Sequence, residues 1–395
     1  MSGIVLSASV RQNLLSLQST ADLLATTQSR LSTGKKVNTA LDNPTNFFTA
    51  QSLDNRAGDI NNLLDGIGNG VQVLQAANTG ITSLQKLVDT AKSIAQQVLQ
   101  APVGYSPKSS VTSGANAGGT SANLLGATLA SGDVLTIAAT GGGTASSITF
   151  GSGAGQVDTL TKLNAALAPN NLQASVDDTT GKITITTTND AASATVGALG
   201  GTATGAGKAF LAASVTTVAA VADASSQATR ASLVAQYTNI IAQITTTAQD
   251  SSYNGVNLLN GDNLKLTFNE TGKSTLNISG VTFNAAGLGL ASLVAGTDFL
   301  DSSSANKAIT ALGKASDALR SQASSLGSNL SIVQIRQDFS KNLINVLQTG
   351  SANLTLADTN EEAANSQALS TRQSIAVSAL ALANQSQQSV LQLLR

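Results

Sequence analysis

Histidine, cysteine and tryptophan are absent from this 395-residue chain, and aromatic and charged side chains are scarce, at 3% and 11%. Each absence removes a chemistry. Without imidazole or thiolate there is no Ser-His-Asp triad, no cysteine nucleophile and no tetrahedral zinc site of the usual ligands. Only Asp, Glu and Lys remain for acid–base work. Zero cysteine fits a chain that is unfolded for export or works outside the cell without disulfides.

Charge is balanced as well as sparse, with 21 basic against 22 acidic residues and a formal charge of −1. That balance gives no electrostatic footprint for nucleic acid or an anionic membrane. No run reaches the ~18 apolar residues of a transmembrane helix. Residues 1–10 lack the basic leader, apolar run and cleavage site of a secretory signal. The expectations are no nucleic acid, no membrane insertion, no cofactor and no cleaved signal peptide.

What is present is 42% apolar residues, enough for real cores built from Ala, Leu, Val and Ile. Val10, Leu17, Leu24 and Leu31 recur every seventh position, with Leu14 and Ala21 between them, as in a coiled-coil seam. The pattern predicts a helix over 5–33, stopped by Gly34. Asn43-Pro44 then reads as an N-cap followed by proline at the first helical position. From there Leu53, Ile60, Ile67, Leu74, Ile81 and Val88 form the longest heptad run in the sequence, predicting a helix over 44–100. Gly66, Gly68, Gly70 and Gly80 fall inside it and imply close packing or a local break.

The C-terminal third repeats the theme. Leu312, Leu319, Leu326, Val333 and Leu347 mark one stripe, interrupted by Ser340, and Leu369, Ala376, Ala383 and Val390 mark another, with Gly350 expected to separate two helices. Long helices in mirrored order at both ends imply that the termini pair. A shorter helix over 224–249 joins the bundle. Between 101 and 222, where 18 of the 35 glycines lie, helical periodicity stops. Residues 134–137, 147–150, 172–176 and 182–187 read as strands with a helix over 157–167, a β-β-α-β-β unit. Gly255 to Phe283 reads as hairpins turning at Asn260-Gly261 and Thr271-Gly272. The expected fold is therefore mainly α with an inserted α+β region.

Several motifs tempt a catalytic or ligand-binding reading. Gly151-Ser152-Gly153-Ala154-Gly155 sits between a strand and a helix, but its G-x-G-x-G spacing is not that of a dinucleotide loop. Gly272-Lys273-Ser274 resembles the end of a P-loop, yet lies in strand-like alternation and reads as a hairpin turn. Asp177 and Asp178, as strand neighbours, point to opposite faces. Glu361-Glu362 fits a first helical turn. One pattern resists a bland explanation: only Arg11, Asp22 and Arg30 are charged within residues 1–34, and only Arg372 and Arg395 within 365–395. Helices meant for water carry charge on their outer face; these are made to be covered.

At Arg30 to Asn38 (RLSTGKKVN), Asp42-Asn43-Pro44, Ser252 to Leu259 (SYNGVNLL) and Ala379 to Arg395 the sequence resembles bacterial flagellins, most in character those of alphaproteobacteria. The resemblance covers about 1–100 and 224–395. It implies a filament subunit with an inner-tube coiled coil from 1–43 and 351–395. It further implies an outer-tube bundle from 44–100 and 223–350, and a surface domain from 101–222. Residue by residue, Val10, Leu14, Leu17, Leu24, Leu31, Leu369, Leu380, Val390, Leu391 and Leu394 would make inner-tube contacts, and Leu53, Ile60, Ile67, Leu74, Ile81 and Val88 the outer-tube seam.

The resemblance also implies a homopolymer outside the cell, exported through the flagellar secretion channel. Its partners would be itself, an export chaperone, the filament cap and hook-junction proteins. Leu84 to Ala91 aligns with a segment bound in some flagellins by a vertebrate Toll-like receptor. Val88 replaces a basic residue there and Thr90 a leucine, which implies weak recognition. Two alternatives share the terminal helices: a hook-filament junction protein, and a surface adhesin or polysaccharide binder. The aromatic poverty of 101–222, with only Tyr105, Phe150 and Phe210, disfavours sugar-stacking platforms.

Overall fold

The computed structural model describes residues 8–114 and 119–393. Among the described residues there are six α-helices: α1 Ala8–Thr33, α2 Pro44–Gln100, α3 Leu160–Leu167, α4 Ala224–Asp250, α5 Ser302–Thr355 and α6 Thr359–Leu393. The described residues form two compact units. One takes the chain up to Val71, Lys265–Leu276 and everything from Ser331; the other takes Gln72–Leu264 and Asn277–Leu330.

Helix ends follow local chemistry. Gly34 adopts φ +67°, the left-handed conformation that closes α1. Asn43 Oδ1 accepts the Asn46 N–H at 3.0 Å, so α2 opens on the predicted cap. Asp223 caps α4 through the Ser226 N–H at 2.7 Å. At the other end of α4, buried Asn257 donates to the Ala248 and Gln249 carbonyls, both at 2.8 Å, filling two acceptors the helix leaves open. Replacing Asn257 by Ala strands those acceptors and should cost about 2 kcal/mol, read as a lower urea midpoint at unchanged slope.

In the first unit, Ala57 and Ile60 of α2 pack on Ile344 and Leu347 of α5, with Leu53 and Leu64 alongside. In the second, α2 continues with Leu74, Ile81, Leu84 and Val88 fully buried, as are Ile244 of α4 and Leu312 and Leu319 of α5. The α2 glycines cause no break. At Gly70 an added Cβ would meet Leu266, and at Gly80 Ser251, so both allow the following chain to approach the helix closely. Gly350 does not divide α5 from α6 as expected. It is helical, beside Leu53, and the break falls at Leu356–Asp358, where Asp358 Oδ1 accepts the Asn360 N–H at 2.9 Å to open α6. Ser340, which breaks the apolar stripe in sequence, stays buried on it.

The insert holds β1 Ser110–Thr112, β2 Val134–Ile137, β3 Ser146–Thr149, β4 Leu172–Asp177, β5 Lys182–Thr187, β6 Leu199–Gly200 and β7 Thr216–Val218. The expected strands and α3 are present in order, but they do not make one β-β-α-β-β sheet. They split into an antiparallel β4-β5-β1-β7 sheet and a β3-β2-β6 sheet. The reason is that strands from the low-complexity flanks, too short to show alternation, complete both. Phe150, Leu163, Ile185 and Phe210 are fully buried in the insert's core. Two of the segment's three aromatics are thus unavailable for stacking. A further hairpin, β8 Leu264–Thr267 with β9 Thr275–Ile278, follows α4.

The insert leaves and rejoins the bundle at one place. Ser106 N–H donates to Val221 O, Val221 N–H to Pro107 O and Asp223 N–H to Gly104 O, at 2.9, 2.9 and 3.0 Å. Buried Arg230 of α4 clasps the root, its guanidinium donating to Pro102 O at 2.8 Å, Phe299 O at 2.7 Å and Ala101 O at 3.3 Å. Adjacent ends make an insert separable. Excising 107–220 and joining Ser106 to Val221 through a short turn should leave one cooperative thermal transition for the helices of the second unit; a broad, non-cooperative melt would refute this.

Candidate assembly surface

The helices α1 and α6 pack together along their length. Buried and half-buried positions on α1 include Val10, Asn13, Leu17, Thr20, Leu24 and Thr27, beside Ala21 and Arg30; on α6 they include Ser366, Leu369, Gln373, Ala376, Leu380 and Ala383, beside Glu362. Both sets alternate three and four apart, the spacing of a coiled-coil seam. Much of that seam is polar or small. One ion pair crosses it, Arg30 to the largely buried Glu362 at 3.4 Å, so Glu362 does more than face the helix dipole.

Below this pair the α1–α2 and α5–α6 connections are tied together. Lys36 and Val37 donate their N–H groups to Thr355 O, and Ala357 N–H donates to Gly34 O. Asn38 Nδ2 reaches back to Thr33 Oγ1 at 2.9 Å. Asp42 accepts the N–H groups of Thr39 and Asn38 at 2.8 and 2.9 Å, and these bonds hold its carboxyl below the usual 3.8. A lowered carboxylate pKa stabilises the folded state above the ordinary value and loses that contribution as pH falls through the folded one. The turn should therefore loosen on acidification below about pH 3.8, and Asp42→Asn should remove that acid step from an NMR titration of the Thr39 amide.

Of the residues the sequence assigns to the inner tube, Val10 is buried and Leu17, Leu24, Leu369 and Leu380 are half-buried in the α1–α6 seam, while Leu14 and Leu31 face outward. The side chains of Val390 and Leu391, and Leu394 altogether, lie outside the described residues. Along the outer-tube seam Leu53 is half-buried, and Ile60, Ile67, Leu74, Ile81 and Val88 are buried. Heptad reading missed the exposed apolar residues off the seam: Leu15 (68%), Leu23, Ile375, Val377 and Leu382 (69%). The signal for them was present as apolar residues outside the stripe on helices with few charges, Asp22 beside Leu15 and Leu23 among them. Large apolar residues bared on helices this poor in charge mark a surface for contact, not for water.

The tempting motifs resolve into local structure. Gln156 Oε1 accepts the Gly153 N–H at 2.9 Å and fills the loop a phosphate would need. Asp177 closes its own turn on Thr179 and Thr180, and Asp178 accepts the Ser121 N–H at 2.8 Å. Lys273 lies in the loop joining β8 to β9, which Phe268 N–H closes on Ser274 O. Among the described residues no group of three acidic side chains could hold a metal ion, and no helix is long and apolar enough to cross a membrane.

These features define a class: a helical protein whose first and last helices pair, with an inserted β-rich domain between. The bacterial flagellin N-terminal helical region matches residues 5–111, and the bacterial flagellin C-terminal helical region matches 309–394. Flagellin FljM of Caulobacter vibrioides is 34% identical over 155 residues, 39% of this chain and 55% of its own length. A flagellin of Brucella melitensis is 32% identical over 168 residues, 40% of this chain and 59% of its own. Flagellin A of Rhizobium meliloti is 40% identical over 77 residues, 20% of each. The chain thus spans little more than half the length of the first two relatives. Its terminal regions, 5–111 and 309–394, are those of bacterial flagellins.

Proposed function

We propose that this chain is the structural subunit of a bacterial flagellar filament, polymerising with copies of itself into an extracellular helical propeller and performing no catalysis. The observation that carries the reading is the paired α1–α6 hairpin, almost free of charge yet baring Leu15, Leu23, Ile375 and Leu382. In this reading the leucines of α1 and α6 make the inner-tube contacts, the α2 heptads stiffen the outer tube, and 101–222 faces outward. Export proceeds through the flagellar secretion channel with a chaperone, and growth occurs beneath a cap from a hook-junction foundation. The experiment is seeded growth. Purified chain added to sheared fragments of its own filaments should lengthen them, seen by light scattering and electron microscopy. Chain that stays soluble with seeds across pH and salt overturns the proposal.

A further inference from the structure

Within the first unit, two faces point away from the α2–α5 contact. On α5, Ile332, Ile335, Phe339 and Val346, with Asn342, line the side remote from buried Val333, Ser340, Ile344 and Leu347. Ile335 and Val346 are 65% and 66% exposed, and no charged residue interrupts the row. On α2, Asn55, Gly58, Asn62, Gly66 and Asn69 are all exposed on the side opposite Ala57, Ile60 and Ile67. Each row advances by threes and fours, and both run the same number of residues along their helices.

Gly58 and Gly66 have nothing within 4 Å of the position a Cβ would take. Glycine inside a helix lowers its stability, and unlike Gly70 and Gly80 these two allow no close approach within the chain. Their missing side chains leave a shallow groove between asparagines, matched in length to the bulky row on α5. The rims differ in charge: Asp54, Asp59 and Asp65 flank the α2 row, while the α5 row has Arg336 on one side and Asp338 on the other. Acidic residues thus stand on both sides of the α2 groove, and Arg336, stacked on Phe268 at 5.7 Å, is the cation beside the α5 row.

The geometry points to a second copy of this chain as the occupant, the α5 row of one subunit seating in the α2 groove of the next. Because the two surfaces differ, the contact is head-to-tail and propagates instead of closing as a twofold dimer. It rests on the filament reading and names the faces that join.

The absence of cysteine makes the test direct. Filaments co-assembled from Ile335→Cys and Gly66→Cys subunits, or from Asn342→Cys and Gly58→Cys subunits, should yield disulfide-linked dimers on mild oxidation. Filaments of any single variant should not. Gly66→Leu should keep or raise the melting temperature of the soluble subunit yet slow seeded growth at least tenfold. Mixed filaments that grow normally without cross-linking in either pair overturn the pairing and leave the filament reading standing, as does wild-type growth by Gly66→Leu. Cross-linking within single-variant filaments overturns its head-to-tail sense. Failure of the unmodified chain to grow from seeds overturns both.

Discussion

Ending the chain after Leu369 should abolish seeded filament growth. The deletion removes Ile375, Val377 and Leu382, which lie bare in the single chain. If neighbouring subunits cover them at about 1.5 kcal/mol each, their loss amounts to about 4.5 kcal/mol, roughly a thousandfold in subunit affinity. It also removes Gln373, Ala376, Leu380 and Ala383, the half-buried positions of α6 in the α1–α6 seam. The second unit uses no residue beyond Leu330, so its thermal transition should remain. Loss of growth with an intact transition separates failed assembly from failed folding. Truncated subunits that lengthen seeds at the normal rate would remove the terminal hairpin from the assembly mechanism.

Replacing Arg230 by Ala should be the most damaging single substitution in the second unit, costing about 3 kcal/mol or more. The guanidinium satisfies carbonyls of Ala101, Pro102 and Phe299 at a site closed to water. Burial pulls its pKa down, and Asp301 offsets part of that. Lysine carries the charge but not the planar fork, so Arg230→Lys should recover only part of the loss. Chemical denaturation reads both variants. An Arg230→Ala midpoint equal to wild type would mean that the three carbonyls find other donors.

The long helices were legible because heptads over many turns leave little choice of face. Gly34, Asn43 and Pro44 marked their ends correctly because each acts locally, Gly34 and Pro44 through their own backbone and Asn43 through its side-chain oxygen. Gly350 misled for the complementary reason: glycine permits a break without requiring one, and the contacts of Thr355 with Lys36 and Val37 place the break farther on. Strands β1, β6 and β7 have three residues or fewer, too short for alternation to register, so the two-sheet arrangement was not readable. Arg230 was equally silent. A lone arginine in a polar stretch reads as solvated until the fold brings three distant carbonyls around it. On the surface, heptads located the seam that α1 and α6 make with each other, whereas the residues left over, such as Leu15 and Leu382, are the ones the single chain leaves uncovered.

The root of the insert also has a mechanical meaning. In the proposed filament, fluid drag on the insert would reach the helices through two chain limbs, residues 101–107 and 221–223. Backbone bonds link the limbs, and Arg230 grips the first from the helix that continues the second. An uneven pull on one limb is therefore shared with the other, and several bonds must fail together before either peels away. A single-stranded tether would instead concentrate the load on its weakest turn.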